Sequence, residues 1–508
     1  MSDSALPTSR ALGQLKELLD AGRPLIYIRT AEEGRVELLI AEAAARLFRP
    51  PLPVYVWSVT EGMRGPVGAV VAGTLDARAA LDHIVAFAHP ALFVLRDFHD
   101  PMQASADVRR RLRDLYTACF DKQKFVIIAS PVAFVPDELS RDLALIDLPL
   151  PDLAELRAFL VSEGAALAAK GIAVDADPGT IAQLSAALQG LTFNEARHAL
   201  RRALAAAPRL DATATPYLLE EKHLLVKKKT GVIEYIADPG GIENVGGAPI
   251  LKKWLNERRR LFEMRDELSR DIVPKGILLM GISGCGKSLA VKAIAQCFNL
   301  PLYRIDMIEV FSGRHGNPEG VFVGACRTME EMAPAVLWFD EIEMGVSAQN
   351  TDSAGSQGRI FAFFLTWMQE KTRGLFVAAT ANRIDLLPAE MIRKGRFDEM
   401  FFVDLPNDDE RLDICRIHLA KRGLDAGAMG VERLKQFTKG WTGAEIEQLV
   451  VSALTTARLE NRDLTSDDLL NQTAKIVPLS KTMKEQVEHI RSWALDRAVR
   501  TAPRTQGQ

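Results

Sequence analysis

The chain has few of the features that mark membrane, secreted or nucleic-acid-binding proteins. No run of about 18 apolar residues occurs, and the N-terminal stretch MSDSALPTSRALGQLKELLDAGRP carries acids where a signal peptide needs an apolar core. Lys and Arg total 63 against 66 Asp and Glu, so no net positive field draws the protein toward nucleic acid or anionic lipid. We therefore expect a cytoplasmic protein without membrane contact, and the composition disfavours nucleic acid as a partner.

Cysteine is scarce, and zinc motifs are missing from the sequence. The five cysteines are odd in number and scattered, and none belongs to a C-x-x-C pair, which argues against a disulfide framework and a zinc site. An H-E-x-x-H segment is also missing, which excludes metalloprotease chemistry of that kind. A reducing compartment such as the cytoplasm fits this cysteine usage.

What remains is an ordinary globular composition. The 508 residues are 48% hydrophobic and 25% charged, and a chain of this length accommodates about two to four domains. Short basic runs lie at 109–111, 227–229 and 258–260 in helix-like segments. A solvated helix face explains each run better than a nucleic-acid contact does.

The strongest motif, GILLMGISGCGKSLAVKAIAQCF, lies in the second half. An apolar strand (277–280) leads into G-x-x-x-x-G-K-S and then into an Ala-rich helix, which is the context that a phosphate-binding loop requires. Its glycines let backbone N–H groups turn toward the β-phosphate of ATP, while Lys287 would reach the β- and γ-phosphates and Ser288 would ligate Mg²⁺. The predicted ATP-binding loop comprises Gly281, Ile282, Ser283, Gly284, Cys285, Gly286, Lys287, Ser288 and Leu289.

Two later strands end on polar residues that suit hydrolysis. In PAVLWFDEIE, Asp340 is predicted to hold the water shell of Mg²⁺, and Glu341 is predicted to be the general base that polarises the attacking water. The strand in LFVAATANRID ends near Asn382, whose amide could orient that water or sense the γ-phosphate. The predicted metal ligands are therefore Ser288 and Asp340.

Two arginines follow in LLPAEMIRKGRFDEMFFVDLP. Arg393 and Arg396 lie three residues apart beside a glycine, and on spacing alone surface ion pairs would be the commoner interpretation. At this position of an ATPase, we expect them to supply positive charge to the γ-phosphate held by a neighbouring subunit. They complete a predicted catalytic set with Lys287, Glu341 and Asn382.

Together these motifs resemble the AAA ATPases of the meiotic-clade type over residues 240–470. The VGG segment with Gly246 and Gly247 resembles the adenine-side segment of that family, and RKGRFDEMFFVDLP resembles its second region of homology with paired arginine fingers. TKGWTGAEIEQLV resembles the lid helix in which Gly443 and Ala444 pack near the base. The resemblance implies ATP hydrolysis between the subunits of a homo-oligomeric ring, usually a hexamer.

The sequence departs from that family at the pore. FSGRHGNPEG offers Arg314, His315 and Gly316 where unfoldases carry an aromatic paddle that grips an extended chain by stacking. Phe311 lies three residues earlier and is the alternative gripping residue. Whether a substrate is threaded through the pore is therefore left open.

The first half repeats the second. Residues 24–48 match 275–298, HPALFVLRDFHD matches APAVLWFDEIEM, and GLTFNEARHAL matches GWTGAEIEQLV, at an offset of about 250 residues. We therefore predict an α/β protein with two AAA-type three-layer modules, each a P-loop NTPase-like parallel sheet with a helical lid.

The first copy has lost the chemistry of the second. The segment 30–35 is one residue shorter than a phosphate loop requires, and Glu32 and Glu33 stand where they would repel a triphosphate. Phe98 is interpreted as the counterpart of Glu341. The first module is thus predicted to be degenerate: folded, but unable to bind ATP.

Composition shifts suggest the domain boundaries. In the last helix Ile490 and Trp493 share one face, which we expect to pack on the lid. The predicted parts are a degenerate AAA-like module without a phosphate loop (1–207), a helical joint (208–240), an AAA ATPase core (241–406), a helical lid with the C-terminal helix (407–500) and a disordered tail (501–508).

The layout of the whole chain is similar to that of the AAA family first noticed as a hypothetical reading frame in plastid and cyanobacterial genomes. This resemblance supplies architecture and leaves three functions open. The favoured one is a chaperone-like, ATP-driven remodeller of an unidentified protein partner. The second is a slow nucleotide-dependent switch or scaffold, with the first half as its reader. The third is a nucleic-acid motor or loader, which the balanced charge disfavours.

Overall fold

The computed structural model describes residues 9–237, 241, 245–265, 267–346, 354–393, 395–427, 429–495 and 498–502. They form two compact units, Met1–Lys222 and His223–Gln508, and the division lies within a helix over Thr215–Thr230. That helix falls in the predicted joint. Residues 238–240 of the joint and 503–508 of the predicted tail lie outside the described residues.

The first unit is built on a mostly parallel sheet covered on both faces. Segments such as ALFVLR and KFVIIAS are continuous apolar runs because a strand covered on both faces buries every side chain. Successive residues enter different cores, so Phe93 packs in one cluster and Val94 in the other. The strands are β1 (Leu25–Arg29), β2 (Val54–Ser58), β3 (Gly62–Arg64), β4 (Val70–Val71), β5 (Ala91–Arg96), β6 (Lys124–Ser130) and β7 (Leu143–Asp147), with β8 (Ala173–Val174) and β9 (Arg209–Leu210) paired separately.

The helices of the first unit cover this sheet and then form a lid. The lid comes last in the chain, after β7, as the sequence predicts. The helices are α1 (Arg10–Asp20), α2 (Glu33–Leu47), α3 (Ala77–Ala86), α4 (His99–Ala104), α5 (Ala106–Cys119), α6 (Leu153–Ala168), α7 (Pro178–Leu188) and α8 (Phe193–Ala206), followed by α9 (Thr215–Thr230) at the division between the units.

The second unit has a sheet of the same kind. Leu279 and Met280, adjacent in its first parallel strand, again enter two different cores. The strands are β10 (Ile233–Ile236), β11 (Gly276–Gly281), β12 (Leu302–Ile305), β13 (Ala335–Phe339), β14 (Leu375–Ala381), β15 (Glu399–Val403) and β16 (Val499–Arg500). The helices are α10 (Pro249–Glu263), α11 (Lys287–Cys297), α12 (Met307–Phe311), α13 (Pro318–Glu331), α14 (Glu343–Val346), α15 (Ala354–Glu370), α16 (Ala389–Ile392), α17 (Asp408–Ala420), α18 (Leu434–Phe437), α19 (Gly443–Leu459), α20 (Ser466–Thr473), α21 (Leu479–Thr482) and α22 (Lys484–Leu495).

The two sheets share one topology, which confirms the predicted internal repeat. The central order in the first unit is β2-β5-β6-β1-β7, and in the second it is β12-β13-β14-β11-β15. In both units, the parallel strand that comes second in the chain begins this order, and the one that comes first in the chain lies between the fourth and the fifth. The lids repeat as well, because α8 and α19 each begin with a Thr-x-x-Glu capping box and α6 and α17 with an Asx-x-x-Glu box. The predicted pair of AAA-type α/β modules is therefore present.

The structure corrects one residue of the predicted alignment. Glu341 has a left-handed backbone, with φ of 47°, in the turn that follows the β13 strand, and Asp97 has the same φ after β5. The register of the neighbouring strands agrees, since Leu95 pairs with Ile128 as Phe339 pairs with Ala379. The counterpart of Glu341 is therefore Asp97, and the interpretation of Phe98 was wrong by one position. Phe98 is instead a fully buried core residue.

The C-terminal helix also differs from expectation. Ile490 and Ala494 of α22 are buried in a core cluster of the base sheet, and Trp493 packs against that cluster, whereas the lid core is a separate cluster. Arg491 Nε donates to Asp404 Oδ1 at 2.7 Å, next to the end of β15. The predicted packing on the lid was wrong. An apolar helix face indicates that the helix packs against another element, but it does not indicate which element that is.

No helix among the described residues is long and apolar enough to cross a membrane. All five cysteines are free thiols, three of them buried.

Candidate functional site

The phosphate loop of the second unit joins β11 to α11. Gly284 and Gly286 have φ of 78° and 93°, a conformation that residues with a Cβ rarely adopt, so glycine is needed there. α11 begins at Lys287, and its first N–H groups have no partner within the helix. This end of the helix is therefore suited to an anion such as a phosphate.

Lys287 is held inside its own loop. Its side chain is 6% exposed, and Nζ donates to the carbonyl oxygens of Gly281 and Ile282, both at 2.9 Å. Burial lowers the pKa of Lys287 to about 8. The ammonium group is thus positioned at the loop before any nucleotide is added. Burial also raises the pKa of the Cys285 thiol, to about 12.

The two acids after β13 are tied to the next strand of the sheet. Thr380 Oγ1 donates to Asp340 Oδ1 at 2.7 Å and accepts from the backbone N–H of Glu341 at 3.1 Å. Asp340 Oδ2 lies 3.8 Å from Arg304 Nη1. The Glu341 side chain is exposed and faces the loop side of the sheet, where a general base would need water.

Asn382 lies beside Glu341. Asn382 Nδ2 donates to Glu341 Oε1 at 2.7 Å. The backbone N–H groups of Asn382 and Arg383 donate to Glu343 Oε1 at 2.8 and 3.1 Å, and Glu343 is only 2% exposed. Burial raises the pKa of Glu343, although these two backbone hydrogen bonds oppose the rise.

The predicted adenine-side glycines pack against the first lid helix. A Cβ on Gly246 would lie 2.6 Å from Ile414, and one on Gly247 would lie 2.3 Å from Glu410 Oε1. Gly247 also has φ of 68°. Glu410 Oε1 accepts from the N–H of Ala248 at 3.2 Å. Glycine is therefore required here by close approach between the segment and α17.

The lid helix α19 begins at the phosphate loop. The N–H of Ala444 donates to the carbonyl oxygen of Gly284 at 3.0 Å, and a Cβ on Gly443 would lie 3.5 Å from that same oxygen. The N-terminus of α19 is thus adjacent to the phosphate loop.

These groups line one cavity of about 450 Å³. A volume of this size suits a nucleotide, and a hydroxyl and a carboxylate on its wall, Ser288 and Asp340, are oxygen ligands of the kind that Mg²⁺ prefers. MgATP therefore fits the residues present. The predicted residues on its wall are Gly246, Ser283, Gly284, Cys285, Gly286, Lys287, Ser288, Leu289, Asp340, Glu341, Asn382, Gly443 and Ala444.

Some predicted residues lie elsewhere. Gly281 and Ile282 are buried, and Gly247 packs closely against Glu410 of α17. Arg393 and Arg396 do not line the cavity. Arg393 is exposed, and two nitrogens of Arg396, Nε and Nη1, are buried without a hydrogen-bond partner among the described residues. Within one chain, neither arginine serves the cavity formed by that chain.

Several wall residues were missed from the sequence. Thr380 lies inside an apolar strand, and only its contact with Asp340 reveals it. Glu410 had a signal, since it closes a capping box, but that pattern predicts a helix start rather than a ligand site. The remaining missed wall residues are Val245, Ala248, Leu251, Ala290, Val403, Asp404, Pro406, Ile414, Ile417, His418, Lys421, Glu447 and Thr501.

In the first unit, protein groups fill the corresponding place. Only residues 30–32 separate β1 from α2, whereas residues 282–286 separate β11 from α11. Phe48 and Phe298 are matching residues that follow the C-terminal ends of α2 and α11. Measured from these residues, α2 extends one turn further at its N-terminus than α11 does, and this turn fills the space of the phosphate loop. The connection after β1 is therefore shorter than the phosphate loop, and it carries Glu32.

The carboxylate of Glu32 binds the lid of the first unit. Its Oε1 accepts from the N–H of Phe193, at the start of α8, at 2.8 Å. Its Oε2 lies 3.4 Å from Arg35 Nη1, and Arg35 also donates to the carbonyl oxygen of Pro149 at 2.6 Å and to Glu155 at 3.1 Å. Glu32 and Arg35 are 6% and 5% exposed. The Glu32 carboxylate thus caps α8. The counterpart of α8 in the second unit is α19, which starts at the phosphate loop.

Fold and site together define a protein of the AAA class. Residues 277–405 match the AAA family, described as the ATPase family associated with various cellular activities. Residues 12–148 match the N-terminal domain and residues 154–229 the second domain of SpoVK-like AAA ATPases. The two modules found by sequence repetition thus both have AAA relatives.

The particular family follows from relatives of full length. The chain is 34% identical over 496 residues to the uncharacterized AAA domain-containing protein ycf46 of Pyropia yezoensis, covering 97% of this chain and 99% of the relative. It is 33% identical to the ycf46 protein of Guillardia theta, covering 96% and 95%. The chain belongs to this ycf46 family of AAA proteins. A proteasome-activating nucleotidase of Methanocaldococcus jannaschii is 30% identical over 261 residues, 49% of this chain and 60% of that protein.

Proposed function

We propose that the second unit binds MgATP and hydrolyses it to ADP and phosphate, and that the first unit binds no nucleotide. The observation that supports this most directly is the shared cavity, whose wall carries a phosphate loop, an oxygen pair for Mg²⁺, a carboxylate base and an amide. These groups come from three different strands and the lid.

Each group has a defined task in this proposal. Lys287 leaves the carbonyl oxygens of its loop for the β- and γ-phosphates, and the N–H groups of the loop and of α11 bind phosphate oxygens. Ser288 and Asp340 hold Mg²⁺, which neutralises charge on the phosphates. Glu341 Oε1, now hydrogen-bonded to Asn382, accepts a proton from the attacking water, and Asn382 orients that water.

We propose that the active form is a homo-oligomeric ring, a hexamer, in which Arg393 and Arg396 act on the neighbouring subunit's nucleotide. Both arginines lie off the wall of the cavity of their own chain, and Arg393 is exposed and thus accessible to a neighbour. A guanidinium at the γ-phosphate stabilises charge in the transition state.

We further propose that hydrolysis drives remodelling of a protein partner. The proteasome-activating nucleotidase among the relatives supports a protein-directed role. The pore stretch, however, presents exposed Arg314 and His315, and Phe311 packs against the core instead of projecting. This observation favours, as second candidate, a slow nucleotide-dependent switch or scaffold. A nucleic-acid motor has the least support, given the balanced charge.

Matched variants of the second unit test the site. We expect Lys287→Ala to lose ATP binding, while Lys292→Ala on the same helix, off the cavity wall, keeps it. Glu341→Gln should bind ATP with little change in affinity and lose hydrolysis by at least about 100-fold, because the general base is removed. Turnover of Glu341→Gln at the parent rate would show that Glu341 is not the base.

Mixing two inactive variants tests the ring. Arg393→Ala subunits retain an intact phosphate loop, and Lys287→Ala subunits retain intact arginines. If the arginines act on the neighbour, mixtures regain part of the parent ATPase rate at interfaces that combine the two intact halves. No recovery at any ratio would contradict action between subunits. Stimulation of the parent rate by an unfolded polypeptide would support the remodeller over the switch.

A further inference from the structure

Two buried polar side chains link the acid turn after β13 to the end of β14. Thr380, 2% exposed, reaches from β14 to Asp340 Oδ1 and to the N–H of Glu341. Glu343, also 2% exposed, reaches back from the turn to the N–H groups of Asn382 and Arg383. The turn and the strand end thus hold each other through a reciprocal pair of contacts.

The hydroxyl of Thr380 is the more informative member of this pair. One oxygen serves both predicted acids, as donor to the metal-binding carboxylate and as acceptor for the backbone of the base. Because Asp340 Oδ1 is engaged by Thr380, the rotation of that carboxylate is restricted, and Oδ2 is the oxygen left for the metal's water shell. Glu341 is held in a left-handed conformation, which is unfavourable for a residue with a Cβ.

The first unit shows that this turn folds without such a hydroxyl. Its Asp97 has the same φ of 47°, and the N–H of Asp97 donates to the backbone oxygen of Ala129 at 2.9 Å. By strand register Ala129 is the counterpart of Thr380, and Arg96 is the counterpart of Asp340. The first unit has therefore lost the carboxylate of Asp340 together with the hydroxyl of Thr380, and it keeps an acid, Asp97, in a left-handed turn. A left-handed turn at this position thus forms in the first unit without a hydroxyl, whereas in the second unit the backbone oxygen of Thr380 accepts from the N–H of Ile342 at 3.0 Å and the hydroxyl accepts from Glu341.

We propose that Thr380 is a positioning residue for hydrolysis, which orients Asp340 for the metal and fixes the backbone of Glu341. This proposal rests on the proposed function of the second unit. It predicts that loss of the hydroxyl impairs Mg²⁺-dependent steps and leaves Mg²⁺-independent nucleotide binding intact.

The test compares Thr380→Val, which keeps the shape and removes the hydroxyl, with Thr380→Ser, which keeps the hydroxyl. Outer partners of metal ligands typically contribute 10- to 100-fold, so we expect Thr380→Val to lower kcat by about that factor with KM within about threefold of the parent. Thr380→Ser should stay within about threefold of the parent. Thr366→Val on the exposed face of α15 is the matched control for a Thr to Val change.

A second readout does not depend on turnover. Binding of a fluorescent ATP analogue is titrated with Mg²⁺ and with a chelator. Thr380→Val should weaken binding in Mg²⁺ by about 10-fold and leave binding in chelator unchanged. If Thr380→Val fails to fold, Thr380→Ala, the residue that the first unit carries there, takes its place with the same expectations.

The outcomes separate this proposal from the proposed function. Equal loss in Thr380→Ser and Thr380→Val, or parent-like kcat and Mg²⁺-dependent binding in Thr380→Val, would overturn the role of Thr380. A parent that binds MgATP without hydrolysing it would overturn the proposed hydrolysis, and the Mg²⁺ titration would still decide on Thr380.

Discussion

Arg35→Met should destabilise the first unit far more than the same change at Arg29. Arg35 is 5% exposed and holds Glu32, Glu155 and the carbonyl oxygen of Pro149 together. Removing its guanidinium leaves Glu32 buried without a cation, and breaking a buried ion pair from one side costs about 3–5 kcal/mol. Methionine keeps most of the side-chain volume, so little of the loss comes from a cavity.

Arg29 is the matched control in the same unit. Its pair with Asp147 is at 2.6 Å, closer than the pair of Arg35 with Glu32, but the two side chains are 45% and 63% exposed. Exposed pairs contribute about 0–1 kcal/mol. Hydrogen exchange of peptides from α2 and α8, measured against urea concentration, gives the free energy of unfolding for each variant. A difference between Arg35→Met and Arg29→Met below about 1 kcal/mol would refute this account of the network.

The pH dependence provides a second check. Burial raises the pKa of Glu32 above its ordinary value of 4.5, and Arg35 opposes that rise. Without Arg35 the pKa of Glu32 rises further. A carboxyl group whose pKa is higher in the folded than in the unfolded protein favours folding at low pH and loses that contribution as pH rises. The deficit of Arg35→Met relative to the parent should therefore shrink as pH falls from about 7 toward 4.5. A deficit that grows on acidification would contradict the buried-carboxylate explanation.

Two further predictions concern nucleotide binding. Gly247→Ala should weaken ATP binding, measured by calorimetry, by at least about 10-fold, since its Cβ would lie 2.3 Å from Glu410 Oε1 and its φ is 68°. Gly320→Ala is the control, because its added methyl group would meet no other part of the chain within 4 Å, and it should bind ATP as the parent does. Equal affinities for the two variants would show that this segment is not part of the site. The full chain should bind one ATP at saturation, and Lys287→Ala should bind none. A second nucleotide, retained in Lys287→Ala, would show that the first unit is not blocked at Glu32.

Much of the site could be predicted because its parts are local. The phosphate loop needs glycines at fixed spacing between a strand and a helix, and Lys287 and Ser288 follow directly from that spacing. Glu341 and Asn382 were picked out because each follows an apolar strand, and in the structure the two side chains are hydrogen-bonded. The repeat was visible for a similar reason, since covered strands are continuous apolar runs.

The sequence by itself thus determined two AAA-type modules, one with a complete phosphate loop and one without. The tertiary structure alone decided the contacts between segments distant in the chain. Core packing placed α22 on the base, and the pairing of β13 with β14 brought Thr380 to Asp340. Such contacts depend on register and on which surface covers an apolar face, and neither is encoded in local spacing or periodicity.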